Sequence, residues 1–166
     1  MSSRLAGKVA LVTGGNSGIG RAIALLAAAE GAQVVIAARD AARGAAVVQA
    51  IQQSGGAAHF IAADLCVEHQ VQALIREAVA EYGALHVIVN CAGAGAKRSG
   101  VTAADSPRAR WDKLVNVNFT AAYLVAAHGL PELRRAGGGA IVNISSTAAV
   151  HGNYGVYGAA KAGVDG

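Results

Sequence analysis

The chain has 166 residues, which suits one domain and leaves little room for a second. With 54% hydrophobic residues and a mean hydropathy of +0.40, it can bury a large core, which excludes a disordered segment. The net charge of +4 comes from scattered basic residues, adjacent only at Lys97-Arg98 and Arg134-Arg135, a distribution that argues against a nucleic-acid partner. No apolar run reaches the roughly 18 residues of a membrane span, and no signal-type apolar segment follows Met1-Ser2-Ser3-Arg4. Cys66 and Cys91 lie apart without metal-ligand spacing, so two reduced thiols in a cytoplasmic protein and no metal are expected.

Strands and helices alternate along the chain. Val9 to Val12 is a β-branched run ending in Thr13-Gly14-Gly15, and Ile19 to Glu30 is an Ala-rich helix closed by Gly31. Val34-Val35-Ile36 forms the second strand. Asp40 is placed to cap a helix that runs to Gln53 and stops at Ser54-Gly55-Gly56. Phe60 and Ile61 mark a third strand ending at Asp64. Val67, Val71, Leu74, Ile75, Ala78, Val79 and Tyr82 then make one apolar helical stripe, ended by Gly83. Leu85 to Val89 is the fourth strand, followed by a polar loop over 94–107. A long helix is expected from Arg108 to His128, apolar around most of its circumference and therefore covered on more than one side, a partner subunit included. Ile141 to Ile144 is the fifth strand, ending at Ser145-Ser146; 150–155 reads as loop, and a last helix begins near Tyr154. Such alternation gives right-handed βαβ units and a parallel α/β sheet of the doubly wound Rossmann type, one domain over 1–166.

Chemistry concentrates where strands end. Gly14, Gly18 and Gly20 stand between the first strand and its helix, where glycine admits a pyrophosphate to the free N–H groups of the helix N-terminus. The second strand ends Ala37-Ala38-Arg39-Asp40. A carboxylate there would accept from a ribose 2′-hydroxyl. Ala38 has none, so Arg39 is read as pairing with a 2′-phosphate in preference to simple solvation, favouring NADP(H) over NAD(H). Asp64 can accept from an adenine amino group or cap the next helix. Asn90 can bridge strands or face a cofactor. Asn118, midway along an apolar helix, needs a partner. Tyr157 and Lys161 project from one helix face, where a fixed cation favours phenolate and equips Tyr157 as an acid/base. Ser146 can bond a carbonyl oxygen.

Thr13-Gly14-x-x-x-Gly18-Ile19-Gly20, Asp64-Leu65, Asn90-Cys91-Ala92-Gly93, Asn118, Ser146 and Tyr157-x-x-x-Lys161 together resemble the short-chain dehydrogenase/reductase family over essentially the whole chain. The resemblance implies a catalytic tetrad of Asn118, Ser146, Tyr157 and Lys161. Tyr157 would be the acid/base and Ser146 would hold the substrate oxygen. Lys161 would favour the phenolate and bond the nicotinamide ribose, and Asn118 would hold a relay water. Cofactor contacts would come from Gly14, Asn16, Ser17, Gly18, Ile19, Gly20, Arg39, Asp64, Leu65, Asn90, Ala92 and Gly93, with Tyr157 and Lys161. The implied reaction is hydride transfer between nicotinamide and a carbonyl or alcohol substrate, in a homo-oligomer, dimer or tetramer.

Three features depart from the family pattern. Cys91 stands where a second Asn is usual. The stretch from Ser146 to Tyr157 is about two residues short, so Ser145 can share the serine role. The family continues past the Tyr/Lys helix with further strands, so the chain reads as a C-terminally truncated member with five strands and an exposed edge at the fifth. A catalytically silent nucleotide-binding or interaction module is the alternative.

Overall fold

The computed structural model describes residues 3–152 and 154–166; Met1, Ser2 and Asn153, the last within the expected loop, lie outside the described residues. Five parallel strands, β1 (Val9–Thr13), β2 (Gln33–Ala38), β3 (Ala57–Ala62), β4 (Val87–Asn90) and β5 (Ala140–Asn143), lie in the order β3-β2-β1-β4-β5. The chain runs outward from β1 through β2 to β3, then returns to β4 on the other side of β1. Strand order therefore reverses between β1 and β4, where Thr13 pairs with Asn90, and a crevice opens beyond the carboxyl ends.

Period-2 alternation sends each strand's side chains to two separate cores. Leu11, Val35 and Ile88 pack against Val71, Leu74 and Ile75 of α3 (Glu68–Tyr82) and Val125 of α5 (Ala121–Arg135). Val12, Val34 and Ile36 pack against Ala24 and Ala28 of α1 (Gly18–Ala29) and Val47 and Ile51 of α2 (Ala41–Gln53). Helices on both faces explain why the inner strands read as unbroken apolar runs. β5 closes one edge of the sheet, and its Val142 remains exposed.

Local signals act as expected at several ends. Asp40 caps α2 by accepting from the Arg43 N–H at 3.1 Å. The α3 stripe buries Val71, Leu74, Ile75 and Ala78, while Val67 precedes the helix as its cap residue.

The long helix differs from expectation. It begins as α4 (Pro107–Val115), widens into a π-helical turn over Asn116–Thr120, and continues as α5 through Pro131 to Arg135 rather than stopping at His128. Proline removes one rung of the helix ladder, but burial of Val125 and Leu133 on the sheet side holds the rod together on both sides of it. A second difference is α6 (Ala148–His151), a single turn whose last two residues fall in the stretch 150–155 expected to be loop, before α7 (Gly155–Asp165). Among the described residues no helix is long and apolar enough to cross a membrane.

Candidate active site

The carboxyl ends of the strands surround an open crevice of about 930 Å³. Thr13, at the reversal point, is 1% exposed and does not itself line the crevice. The Thr13 hydroxyl donates to Val89 O at 3.3 Å and accepts the N–H groups of Cys91 and Ala92, each at 3.1 Å. One side chain thus ties the ends of β1 and β4 together at the reversal point. In the sequence Thr13 stands out only as part of the glycine-turn motif, and a polar residue closing a β-branched run is the signal that it has buried partners.

Gly14, Asn16, Ser17, Gly18, Ile19 and Gly20 all line the crevice. Gly14 has φ +65°, and a Cβ there would sit 3.0 Å from Ala92 Cα. A Cβ on Gly20 would lie 2.4 Å from Gly14 O, so the start of α1 packs on its own entry turn. Ser17 makes no side-chain cap and the first turn of α1 carries no acid, which leaves its N–H groups and positive dipole end available to an anion. These features fit a dinucleotide pyrophosphate.

Toward the β2 and β3 tips, Arg39, Asp64 and Leu65 also line the crevice. Among the described residues Arg39 makes no ion pair, whereas Asp40 is held by α2 and by Arg43 Nε at 3.1 Å. Of the two things considered for it, Asp64 does not cap the next helix, whose N-cap is Val67 with no side-chain cap bond. It faces the crevice, its Oδ1 accepts from Cys66 N at 3.0 Å, and its own N–H donates to Gln70 Oε1 at 2.8 Å. Beside it the Cys66 thiol is pushed up to about 11 by burial first, then by the charge and hydrogen bond of Asp64.

Toward the β4 and β5 tips, Tyr157 and Lys161 line the same wall, as their spacing on α7 requires. Lys161 is only 5% exposed, and its Nζ donates to Ile144 O at 2.8 Å. Burial holds its ammonium below the usual lysine range, with Cys91 and Asp165 opposing that shift. Cys91 lines the crevice, where burial pushes its thiol up and nearby Lys161 partly offsets this. Ala92 and Gly93 line it too.

Three expected residues sit elsewhere. Asn90 does not line the crevice. It bridges strands, its Nδ2 donating to Asn143 Oδ1 at 2.9 Å and Ala122 O at 3.3 Å. Asn118, 1% exposed within the π turn, lies beneath the wall. Its Oδ1 accepts from Ala94 N at 2.9 Å and its Nδ2 donates to Ala94 O at 2.8 Å and Leu114 O at 2.9 Å, so its side chain anchors the loop after β4. Of the two serines, Ser145 lines the crevice, while the Ser146 hydroxyl accepts from Ala148 N at 3.2 Å as α6 begins. Arg98, Ser99 and Lys113, which sequence reading did not single out for this site, line it as well.

Residues 8–166 match the family model described as short chain dehydrogenase. A cis-4-hydroxycyclohexanecarboxylate dehydrogenase of Sinomonas cyclohexanicum is 40% identical over 166 residues, covering 99% of this chain and 66% of its own. An uncharacterized oxidoreductase of Thermotoga maritima is 37% identical, covering 87% of this chain and 56% of its own. Among solved structures, a 7α-hydroxysteroid dehydrogenase complexed with NADH and 7-oxo glycochenodeoxycholic acid superposes with a TM-score of 0.89 at 33% identity, over 98% of this chain and 63% of that one. The chain therefore spans between 56% and 66% of the length of these proteins. A nucleotide-type crevice at the reversal point, with tyrosine and lysine on one wall, agrees with these matches, and the chain belongs to the short-chain dehydrogenase family.

Proposed function

We propose that the chain carries the dinucleotide-binding and catalytic residues of an NADP(H)-dependent oxidoreductase that interconverts a secondary alcohol and a ketone, with the reacting carbon on an alicyclic ring. The observation that carries this reading is the shared wall of Tyr157 and buried Lys161 in the crevice that begins at the glycine turn. A nicotinamide bound there supplies the hydride chemistry. The chain's own residues handle the proton. In reduction, the Tyr157 hydroxyl donates to the carbonyl oxygen, and in oxidation it takes the proton back. Ser146 is the family-pattern residue to hold that oxygen, its hydroxyl accepting from Ala148 N with its own proton free to donate, while Ser145 lines the crevice with its hydroxyl donating to Lys161 O at 3.4 Å. Lys161, fixed by Ile144 O, sets the cationic side of the wall. Asn118 acts by fixing the Ala94 main chain.

The phosphate preference rests on Arg39, which is free of ion pairs among the described residues, next to Ala38, which offers no carboxylate to a 2′-hydroxyl. The similar hydroxysteroid dehydrogenase is an NADH complex, so that likeness supports the dinucleotide class and not the phosphate. An alicyclic substrate is supported by the names of the similar dehydrogenases, which act on a cyclohexane acid and a steroid. Pairing with a second copy is supported by Trp111, Phe119 and Tyr123, exposed on the α4–α5 rod. Two free cysteines fit a reducing compartment such as the cytoplasm. The test is to assay the purified protein for NADPH-dependent reduction of substituted cyclohexanones. Turnover with NADPH preferred over NADH supports the reading, and dinucleotide binding without turnover of any ketone contradicts it.

A further inference from the structure

The charges lining the crevice are unevenly distributed. Its only acids among the described residues, Asp40 and Asp64, stand at the β2 and β3 tips. The tips of β2 and β5 are three strand spacings apart, on the order of 14 Å. On the Tyr157 side three cations line the crevice: Lys113, Lys161 and Arg98. Lys113 is neutralised by Asp105, both of whose carboxylate oxygens accept from Nζ, at 2.9 and 2.8 Å. Lys161 is turned to Ile144 O. Arg98 has no ion pair among the described residues, and unlike the buried Lys161 it is exposed, so its guanidinium is the accessible uncompensated charge at this end.

Arg98 does not sit on a loose loop. It is carried on a turn closed by Ser99 N to Gly95 O at 3.0 Å and Val101 N to Ala96 O at 3.0 Å. Ser99 Oγ donates to Ala94 O at 3.0 Å, and Lys113 Nζ to Gly100 O at 2.9 Å. Ala94 in turn is clamped through both its N–H and its carbonyl by Asn118. The residue before it, Gly93, lies so close to Lys161 that a Cβ there would be 3.2 Å from Nζ. The turn that presents Arg98 is therefore fixed to the same elements that hold the catalytic wall.

We infer that Arg98 is a specificity-determining residue for the substrate, and that the substrate carries a carboxylate on the part of the molecule remote from the reacting carbon. A guanidinium offers paired N–H donors that match a carboxylate. One without an ion-pair partner, carried on a held turn that lines a reaction site, selects an anionic ligand over a neutral isostere. This inference rests on the reading of the crevice as an alcohol/ketone site. Its position on the β4–β5 side separates Arg98 from the adenosine phosphate assigned to Arg39.

The experiment compares a cyclohexanone bearing a carboxylate opposite the ketone with its methyl ester, in the wild-type protein and in R98A and R98K. Arg98 is exposed and holds no other residue, so these variants test recognition rather than folding. A charge-assisted contact at a partly exposed rim corresponds to about 10-fold in affinity. The wild type is expected to favour the acid over the ester by about that factor in kcat/KM, the difference lying in KM. R98A brings the ratio near one, and R98K retains part of it. An acid-to-ester ratio near one in the wild type, or one that R98A leaves unchanged, overturns the inference. So does a loss of NADPH affinity in R98A as large as the loss for the acid, which assigns Arg98 to the dinucleotide. If no ketone is turned over, the oxidoreductase reading fails separately. Calorimetric titration of the acid into the NADP-loaded protein then decides: saturable binding abolished in R98A supports the inference, and its absence in the wild type overturns it.

Discussion

Arg39 and Asp40 are neighbours with opposite duties. Asp40 is consumed by the start of α2, which leaves the guanidinium of Arg39 facing the crevice without a competing carboxylate. Arg39→Ala is expected to weaken NADPH about 10-fold or more while changing NADH little, measured by fluorescence titration. An unchanged preference contradicts the phosphate contact. The Cys66 thiol, raised to about 11 from an ordinary value of 9.0, is neutral at working pH. Because the thiolate is the nucleophile, its alkylation at pH 8 is expected to run slower than in the unfolded chain, and Asp64→Asn is expected to speed it. By the same shift, the proton held in the folded state adds stability that is complete below pH 9.0 and is lost as pH rises toward 11. Peptide-resolved mass spectrometry checks the alkylation; equal rates in native and unfolded protein contradict it. Arg39, Asp40 and Asp64 were legible in the sequence because each stands just beyond a strand, whereas nothing there marked the Cys66 thiol. Which of Ser145 and Ser146 faces the crevice was not, since adjacent hydroxyls are separated only by the turn that starts α6.

Among the elements, strand and helix periods were readable wherever a face is uniformly buried, as in α3, and where a cap residue marks the boundary, as at Asp40. The π turn was not readable. It is stabilised by Asn118 reaching a loop 24 positions earlier, a long-range bond that no local pattern encodes. Proline and glycine near the end of α5 argued locally for a stop, and packing against the sheet overrode them. Glycines in helices give a sharper test of local against tertiary forces. Alanine is a better helix former than glycine by about 0.8–1.0 kcal/mol. At Gly163 of α7 a Cβ would meet Phe119 at 3.4 Å, an ordinary contact, so Gly163→Ala is expected to stabilise by close to that amount. At Gly20 the same change drives Cβ to 2.4 Å from Gly14 O, so Gly20→Ala is expected to destabilise the fold and weaken dinucleotide binding. Urea unfolding of both variants checks the pair; equal shifts of the same sign contradict the packing described.

At the scale of the molecule, the sheet order β3-β2-β1-β4-β5 gathers chemistry from all five strand ends into one crevice. The alternation of elements made this layout legible, because parallel strands with helical crossovers leave few other arrangements. The outer surface was legible only in part. The expected cover of the long helix on more than one side holds on its sheet side, at Val125 and Leu133, while Tyr123 is 64% exposed. That apolar side suits a second copy, and Tyr123→Glu is expected to shift the protein toward monomer in sedimentation equilibrium; an unchanged mass contradicts pairing through this face. The proposed reaction turns on the Tyr157 hydroxyl as proton carrier on the wall it shares with Lys161. Its most direct test is single-turnover reduction of a cyclohexanone by Tyr157→Phe alongside an NADPH titration. Loss of turnover by about 100-fold or more with NADPH affinity nearly intact is the predicted result. Wild-type turnover in that variant would contradict it.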